Sequence, residues 1–238
     1  MIFKNKPNNK PTINIDINID KKPIQQVDTT KFLGLLIDCN LSWTSQTLHL
    51  SKIISKYNGI IRKVRAFLPL HSLKTLYNSL ILPYFSYGAM IWADPNNANL
   101  DSLFLLQKRA IRTCTNSLWL AHTDPLFSSL STLKVQDIYK LQLATFLYQY
   151  HHHLLPVDLM KDDLFNTDVH SHHYETRHGQ EPFVRSTNTV LASNTARSQG
   201  PLLWKDLPSH LKNASSISSF KYNLKKLLIG SYNSVDSP

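Results

Sequence analysis

The sequence predicts a mainly α-helical protein that begins with a small antiparallel β-meander. Two observations predict this fold class. Apolar and polar residues alternate up to about residue 20, which is the period of a strand with one buried face. From Ser42 onward, apolar residues recur at helical spacing in segments separated by proline or by polar runs. We therefore expect β structure in residues 1–43, a helical bundle in 44–118 and a helical C-terminal region in 119–238.

Three short strands make up the predicted meander. Isoleucines alternate with polar residues from Ile13 to Ile19, and a turn follows at Asp20–Pro23. Ile24 to Val27 reads as a second strand. Phe32 to Ile37 is almost continuously apolar, which favours a third and more buried strand. A sheet this small needs a helix to pack against.

An amphipathic helix is predicted after Ser42. With Lys52 at 0° on a helical wheel, its apolar residues fall between about 80° and 200°. A lysine row of Lys52, Lys56 and Lys63 falls between about 0° and 40°, with Gly59 beside it. This lysine row has two interpretations. It is either a surface that binds a phosphate backbone, which Gly59 allows to approach the main chain closely, or an ordinary solvated face.

Two further helices complete the predicted bundle. One spans Leu70 to Ile81, is broken by Pro83, and has a short apolar continuation from Tyr84 to Trp92. The other runs from about Asn97 to Thr115, with Asn96 or Asn99 as its cap. Three basic residues of this helix lie within about 100° of one another, opposite its apolar side. They are Lys108, Arg109 and Arg112.

The C-terminal half is predicted to be helical on either side of a polar segment. Asp124 begins a short helix, and Val135 to Leu155 reads as a long apolar one. Residues 157–200 are polar and irregular, which is typical of a linker. An amphipathic helix from Ser216 to Ile229 follows.

Positive charge is concentrated in the first half of the chain. The net charge is +10, and residues 1–120 hold 15 lysines and arginines against 6 aspartates. Glutamate occurs only at Glu175 and Glu181, so the basic helices lack the usual Glu–Lys pairs. Unpaired basic helices indicate a polyanionic partner, nucleic acid before an anionic membrane, although lysine can also serve solubility. The two cysteines are typical of a reducing compartment.

The sequence offers no catalytic motif of a polymerase or hydrolase. Polymerase chemistry needs two carboxylates that hold two metal ions. The acidic pair Asp162-Asp163 has a loop on either side, so we interpret it as a solvated turn. Phosphate-binding glycine loops and the GxSxG motif are both missing.

The histidines and tyrosines favour structural interpretations. His151, His152 and His153 diverge by about 100° per residue on a helix, and the helix dipole accounts for their position. Those from His170 to His178 lack the spacing of zinc ligands, so neither a metal nor another cofactor is predicted in this chain. Four tyrosines could stack on bases, but their helical spacing favours the core. They are Tyr57, Tyr77, Tyr84 and Tyr87.

Several stretches, together and in this order, resemble one family. They are Lys31–Asp38 with Leu41-Ser42-Trp43, Lys52–Lys56, Arg65–Pro69, Leu76–Tyr84 with Tyr87-Gly88, Leu106–Arg112, His122–Phe127, Leu133–Ile138, Tyr174–Arg177 and Gln199–Trp204. The chain resembles the end of the palm, the thumb and the following region of LINE-type (non-LTR, jockey-like) retrotransposon reverse transcriptases.

The resemblance implies the C-terminal part of an RNA-directed DNA polymerase. Residues 1–43 would be an end-of-palm remnant, 44–118 a thumb-like helical bundle, and 119–238 the region beyond it. In that family the Phe-Leu-Gly strand belongs to the primer grip, which here implies Phe32, Leu33 and Gly34. The family's catalytic aspartates and their Mg²⁺ lie upstream of this segment, so we expect no catalysis from this chain alone.

The predicted function is the binding of an RNA or RNA–DNA template–primer inside the cell, in the cytoplasm, the nucleus or both. No membrane or small-molecule substrate is expected. The predicted phosphate contacts are Lys52, Lys56, Arg62, Lys63, Arg65, Lys108, Arg109 and Arg112. The alternatives are a non-catalytic helical protein that contacts a partner through Trp204 and Phe220, or a decayed relic without function.

Overall fold

The computed structural model describes residues 17–93, 99–156, 190–193 and 195–233, together with Met1, Phe3 and Asp158. It confirms a mainly α-helical fold with a little antiparallel β structure near the N-terminus. No helix in these ranges combines the length and apolarity that crossing a bilayer requires.

Within the described residues, the β structure consists of two separate hairpins and not of the single meander that was predicted. β1 (Asn18–Ile19) pairs with β2 (Lys22–Pro23), and β3 (Thr29–Phe32) pairs with β4 (Leu35–Asp38). The predicted strand from Ile24 to Val27 does not form. Ile13 to Asp16 lie outside the described residues.

The predicted strand from Phe32 to Ile37 is interrupted by the turn of the second hairpin. Leu33 and Gly34 both have positive φ, at 45° and 85°, as a two-residue hairpin turn requires. Leu35 is buried, whereas Leu33 remains 74% exposed at the tip. Continuous apolarity therefore indicated a buried strand where Gly34 in fact reverses the chain.

The helices follow the predicted segments closely. Their bounds are α1 Thr44–Val64, α2 Leu70–Leu80, α3 Leu82–Ser86, α4 Ala89–Trp92, α5 Asn99–Cys114, α6 Asp124–Ser129, α7 Val135–His151, α8 Val190–Ser193, α9 Ala196–Asp206, α10 Ser209–Lys212 and α11 Ile217–Gly230, with a 3-10 turn at Ser231–Asn233. Asn96, one of the two predicted caps of α5, lies outside the described residues.

The C-terminal half differs from the prediction at the end of α7 and in the last part of the predicted linker. α7 ends at His151 rather than Leu155, because His153 adopts a φ of 54° and the amides of His153 and Leu154 bond back to Tyr150 and Gln149. The predicted linker is helical in its last part, in α8 and at the start of α9. Residues 159–189 lie outside the described residues.

The core surrounds α7, which packs against α3, α4, α5, α9 and α11. The main hydrophobic cluster includes Leu35, Ile54 and Leu143, one from each of the three predicted segments. The segment boundaries themselves stay a prediction. A second cluster joins Tyr148 of α7 to Phe220 of α11.

Only one of the two residues suggested for partner contact reaches the surface. Phe220 is fully buried, and Trp204 is half-buried with its ring stacked on that of His151 at 4.4 Å. Both aromatic rings therefore stabilise the fold, and Phe220 does not contribute to the contact surface that the sequence suggested.

Candidate nucleic-acid interface

α1 presents three different stripes because it lies against α5 along much of its length. Leu50, Ile54 and Ile61 are buried in the core. The lysine row forms a second, exposed stripe. Between them runs a third stripe that faces an open groove beside α5.

This groove, which we call the arginine groove, encloses a cavity of about 660 Å³. Its walls come from α1, from α5 and from the loop that follows α5. The lining residues are Ser55, Asn58, Gly59, Arg62, Arg65, Leu106, Arg109, Arg112, Thr113, Asn116, Ser117, Leu118 and Trp119.

Four guanidinium groups dominate the electrostatics of the arginine groove. Arg62 and Arg65 reach it from the end of α1, and Arg109 and Arg112 reach it from α5. No carboxylate in the described part of the chain forms an ion pair with any of the four. Four like charges without acidic partners produce a positive potential that attracts polyanions.

The predicted phosphate contacts divide into two groups. Arg62, Arg65, Arg109 and Arg112 converge on the groove, as described above. Lys52, Lys56 and Lys63 are exposed on the neighbouring stripe of α1 and do not line the cavity. Lys108 lies 4.3 Å from the centre of the Phe104 ring, outside the lining set. Whether any of the eight binds phosphate stays a prediction.

Gly59 leaves a gap in the α1 wall. A Cβ built at this exposed residue meets nothing within 4 Å. The main chain is therefore bare beside Arg62, which is the geometry that close approach of a phosphate backbone needs.

The loop after α5 contributes residues that the sequence analysis missed. α5 ends in a turn in which Asn116 has a φ of 52° and the Ser117 amide donates to the Arg112 carbonyl at 3.0 Å. Trp119 then stands 67% exposed, with the Arg109 guanidinium 5.4 Å from its ring. A basic helix followed by Leu-Trp-Leu was the available signal, but apolarity alone favoured burial.

The predicted primer-grip residues lie elsewhere. Phe32, Leu33 and Gly34 form the tip of the β3–β4 hairpin, where Tyr87 donates to the Leu33 carbonyl at 2.5 Å. β4 is tied to α1 by a 2.9 Å bond from the Leu36 amide to Gln46. Gln46 and Gly59 are thirteen residues apart on α1, or about 20 Å along its axis. The hairpin tip and the groove are therefore separate surfaces.

The tyrosines are mostly structural, as predicted. Tyr77 is buried, and Tyr57 and Tyr84 pack at the edge of the core with their hydroxyls 3.4 Å apart. That hydrogen bond raises the pKa of Tyr84. Tyr87 is exposed but holds the hairpin through its hydroxyl.

In the described part of the chain, candidate metal ligands are dispersed and Cys114 is buried. No three ligating side chains there converge on one point, so they offer no cage for Mg²⁺. Burial raises the pKa of the Cys114 thiol to about 11, which disfavours the reactive thiolate. Asp162-Asp163 and the histidines from His170 to His178 lie outside the described residues.

Comparison with known proteins shows a distant sequence similarity to a transposon polymerase. The chain is 24% identical over 127 residues to a probable RNA-directed DNA polymerase from transposon X-element of Drosophila melanogaster. The match covers 51% of this chain and 14% of that polymerase, so the chain spans only a small part of its relative. No protein-family model matches the chain, and no solved structure matches it. This distant and partial similarity supports an origin related to reverse transcriptases.

Proposed function

We propose that the arginine groove binds the phosphate backbone of nucleic acid, as part of the thumb of a LINE-type RNA-directed DNA polymerase. The observation that carries the proposal is the convergence of four arginines from two helices without an acidic partner among the described residues. The proposed ligand is an RNA or RNA–DNA template–primer.

The groove suits a backbone better than a small anion. It is open, and its arginines come from both of its walls, so they can contact successive phosphates. The bare main chain at Gly59 lets a strand lie close to α1. The lysine row continues the positive surface beyond the rim of the groove.

The proposal concerns the binding of nucleic acid and includes no catalytic step. The similarity to a transposon polymerase agrees with a nucleic-acid partner. We infer an intracellular protein, in the compartment where template and primer meet.

Salt-dependent binding tests the proposal. We would measure affinity for duplex DNA and for an RNA–DNA hybrid over a range of salt concentrations. If Arg62 and Arg65 each neutralise one phosphate, R62Q/R65Q lowers the slope of log K against log salt for duplex DNA by about 1.8. A K52Q/K56Q/K63Q variant measures the contribution of the lysine row separately.

The matched control is K221Q/K226Q, which removes two exposed charges from α11. Its slope should stay close to that of the unaltered protein. If R62Q/R65Q and the control have equal effects, general charge accounts for the binding and the groove does not. Absence of any salt-dependent binding by the unaltered protein would contradict the proposed function.

A further inference from the structure

The loop at the end of the arginine groove exposes three consecutive large apolar residues. Leu118, Trp119 and Leu120 are 83%, 67% and 88% exposed. Leu118 and Trp119 line the groove itself. Such exposure forgoes the stabilisation that burying an indole and two leucines would give, so a binding role accounts for it better than a folding role.

The loop is held in place by the same arginines that charge the groove. Arg112 donates through Nε to the Ala121 carbonyl at 2.9 Å, and the Ala121 amide donates to the Leu118 carbonyl at 3.0 Å. The Arg109 guanidinium lies over the Trp119 ring. The indole is thereby positioned at the groove before any ligand arrives, which reduces the entropy lost on binding.

We propose that Trp119 stacks on an unpaired base of a nucleic acid whose phosphates lie in the arginine groove. This inference rests on the proposed function and narrows the ligand to a single-stranded segment or an unpaired strand end. A guanidinium on one side of the indole leaves the ring accessible for a base, and base–indole stacking does not depend on sequence.

Charge complementarity selects this ligand over an apolar protein segment. The rim around Trp119 carries Arg62, Arg65 and Arg109, which are exposed and would be desolvated at a cost beneath a hydrophobic partner. A nucleotide supplies both an aromatic face for the indole and an anion for the guanidinium groups. A blunt duplex supplies only the anions, because its bases stack on one another.

The test compares a single-stranded oligonucleotide with a blunt duplex of the same length, for the unaltered protein and for three variants. W119A should weaken single-strand binding by about 5-fold to 150-fold. It should leave duplex affinity and the salt slope nearly unchanged, because the indole carries no charge. W119F should recover much of the lost affinity, since a phenyl ring also stacks.

L105A is the control, because Leu105 is a 57% exposed leucine of α5 that does not line the arginine groove and cannot stack. It should bind the single strand almost as the unaltered protein does. Three results would overturn the inference: equal losses for single strand and duplex with W119A, no loss at all, or no recovery with W119F. None of these three results contradicts salt-dependent binding through the arginines. Absence of salt-dependent binding by the unaltered protein would contradict the proposed function itself.

Discussion

Gln107 and Tyr77 share a hydrogen bond of 2.9 Å between the side-chain amide of the one and the phenol oxygen of the other, in a part of the core closed to solvent. The same amide nitrogen donates to the Leu133 carbonyl, and its oxygen accepts from the Val135 amide, both at 2.9 Å. One side chain of α5 thus joins α2 to the start of α7.

Replacing Gln107 with leucine should destabilise the protein strongly. Q107L leaves the Tyr77 hydroxyl, the Leu133 carbonyl and the Val135 amide buried without their partner, so we expect a loss of about 3 kcal/mol or more in the free energy of unfolding. Chemical denaturation measures this loss. The control is Q136L, because Gln136 is half-buried on α7 and should tolerate the change; an equally small effect of Q107L would contradict the prediction.

Replacing Gly59 with alanine should separate stability from binding. G59A removes the flexibility of a glycine within a helix and meets no neighbouring atom, so stability should rise by up to about 1 kcal/mol. If the bare main chain admits a phosphate strand, nucleic-acid affinity should fall at the same time. Thermal melting and a binding titration measure the two effects, and unchanged affinity would favour an ordinary solvated face.

Replacing Gly88 with alanine should loosen the β3–β4 hairpin. Gly88 has a φ of +63°, and a Cβ there would lie 2.9 Å from Cδ1 of Leu35 in β4. The strained backbone and the contact together should cost about 2 kcal/mol. Thermal melting would show this, with G230A as the control because a Cβ at Gly230 meets nothing. A melting temperature equal to that of G230A would count against this packing.

Stability should fall in mild acid because of His151. Burial, followed by the neighbouring charges of His152, Lys212 and His153, lowers the pKa of His151 below 6.5. The unfolded chain therefore takes up a proton between the lowered pKa and 6.5, so the free energy of unfolding is greatest above 6.5 and decreases as pH falls through this window.

Thermal melts from neutral to acid pH test this prediction. H151F should keep the ring stacked on Trp204 and flatten the pH dependence of the melting temperature, whereas H122F changes an exposed histidine and should not. Identical pH profiles for H151F and the unaltered protein would contradict it.

Prolines and capping residues at the helix ends made the helices predictable from sequence. α2 begins after Pro69 and ends before Pro83, and Ser216 caps α11 by accepting from the Ser219 amide. The Leu33-Gly34 turn was missed because an apolar run concealed it. Gln107 could not be assigned to the core, since a polar residue between leucine and lysine reads as exposed until its partners are known.

Half of the candidate site was predictable, and half depended on tertiary packing. Charge pattern singled out the basic residues of α1 and α5, but only packing shows that Arg62 and Arg65 face Arg109 and Arg112 while the lysine row stays outside the groove. Trp119 was missed because apolarity predicts burial on average, whereas this residue is exposed.

Tyr232 closes the core from far along the chain. Its hydroxyl donates to Asp137 at 2.5 Å and accepts from the Lys134 amide at 3.1 Å, and its ring meets Phe127 edge-on at 6.3 Å. During synthesis, α6 and the start of α7 must therefore leave the ribosome well before the residue that completes them. A premature stop a few codons before Tyr232 would therefore remove these contacts with α6 and with the start of α7. Such a truncation would affect the middle of the core as well as the C-terminus.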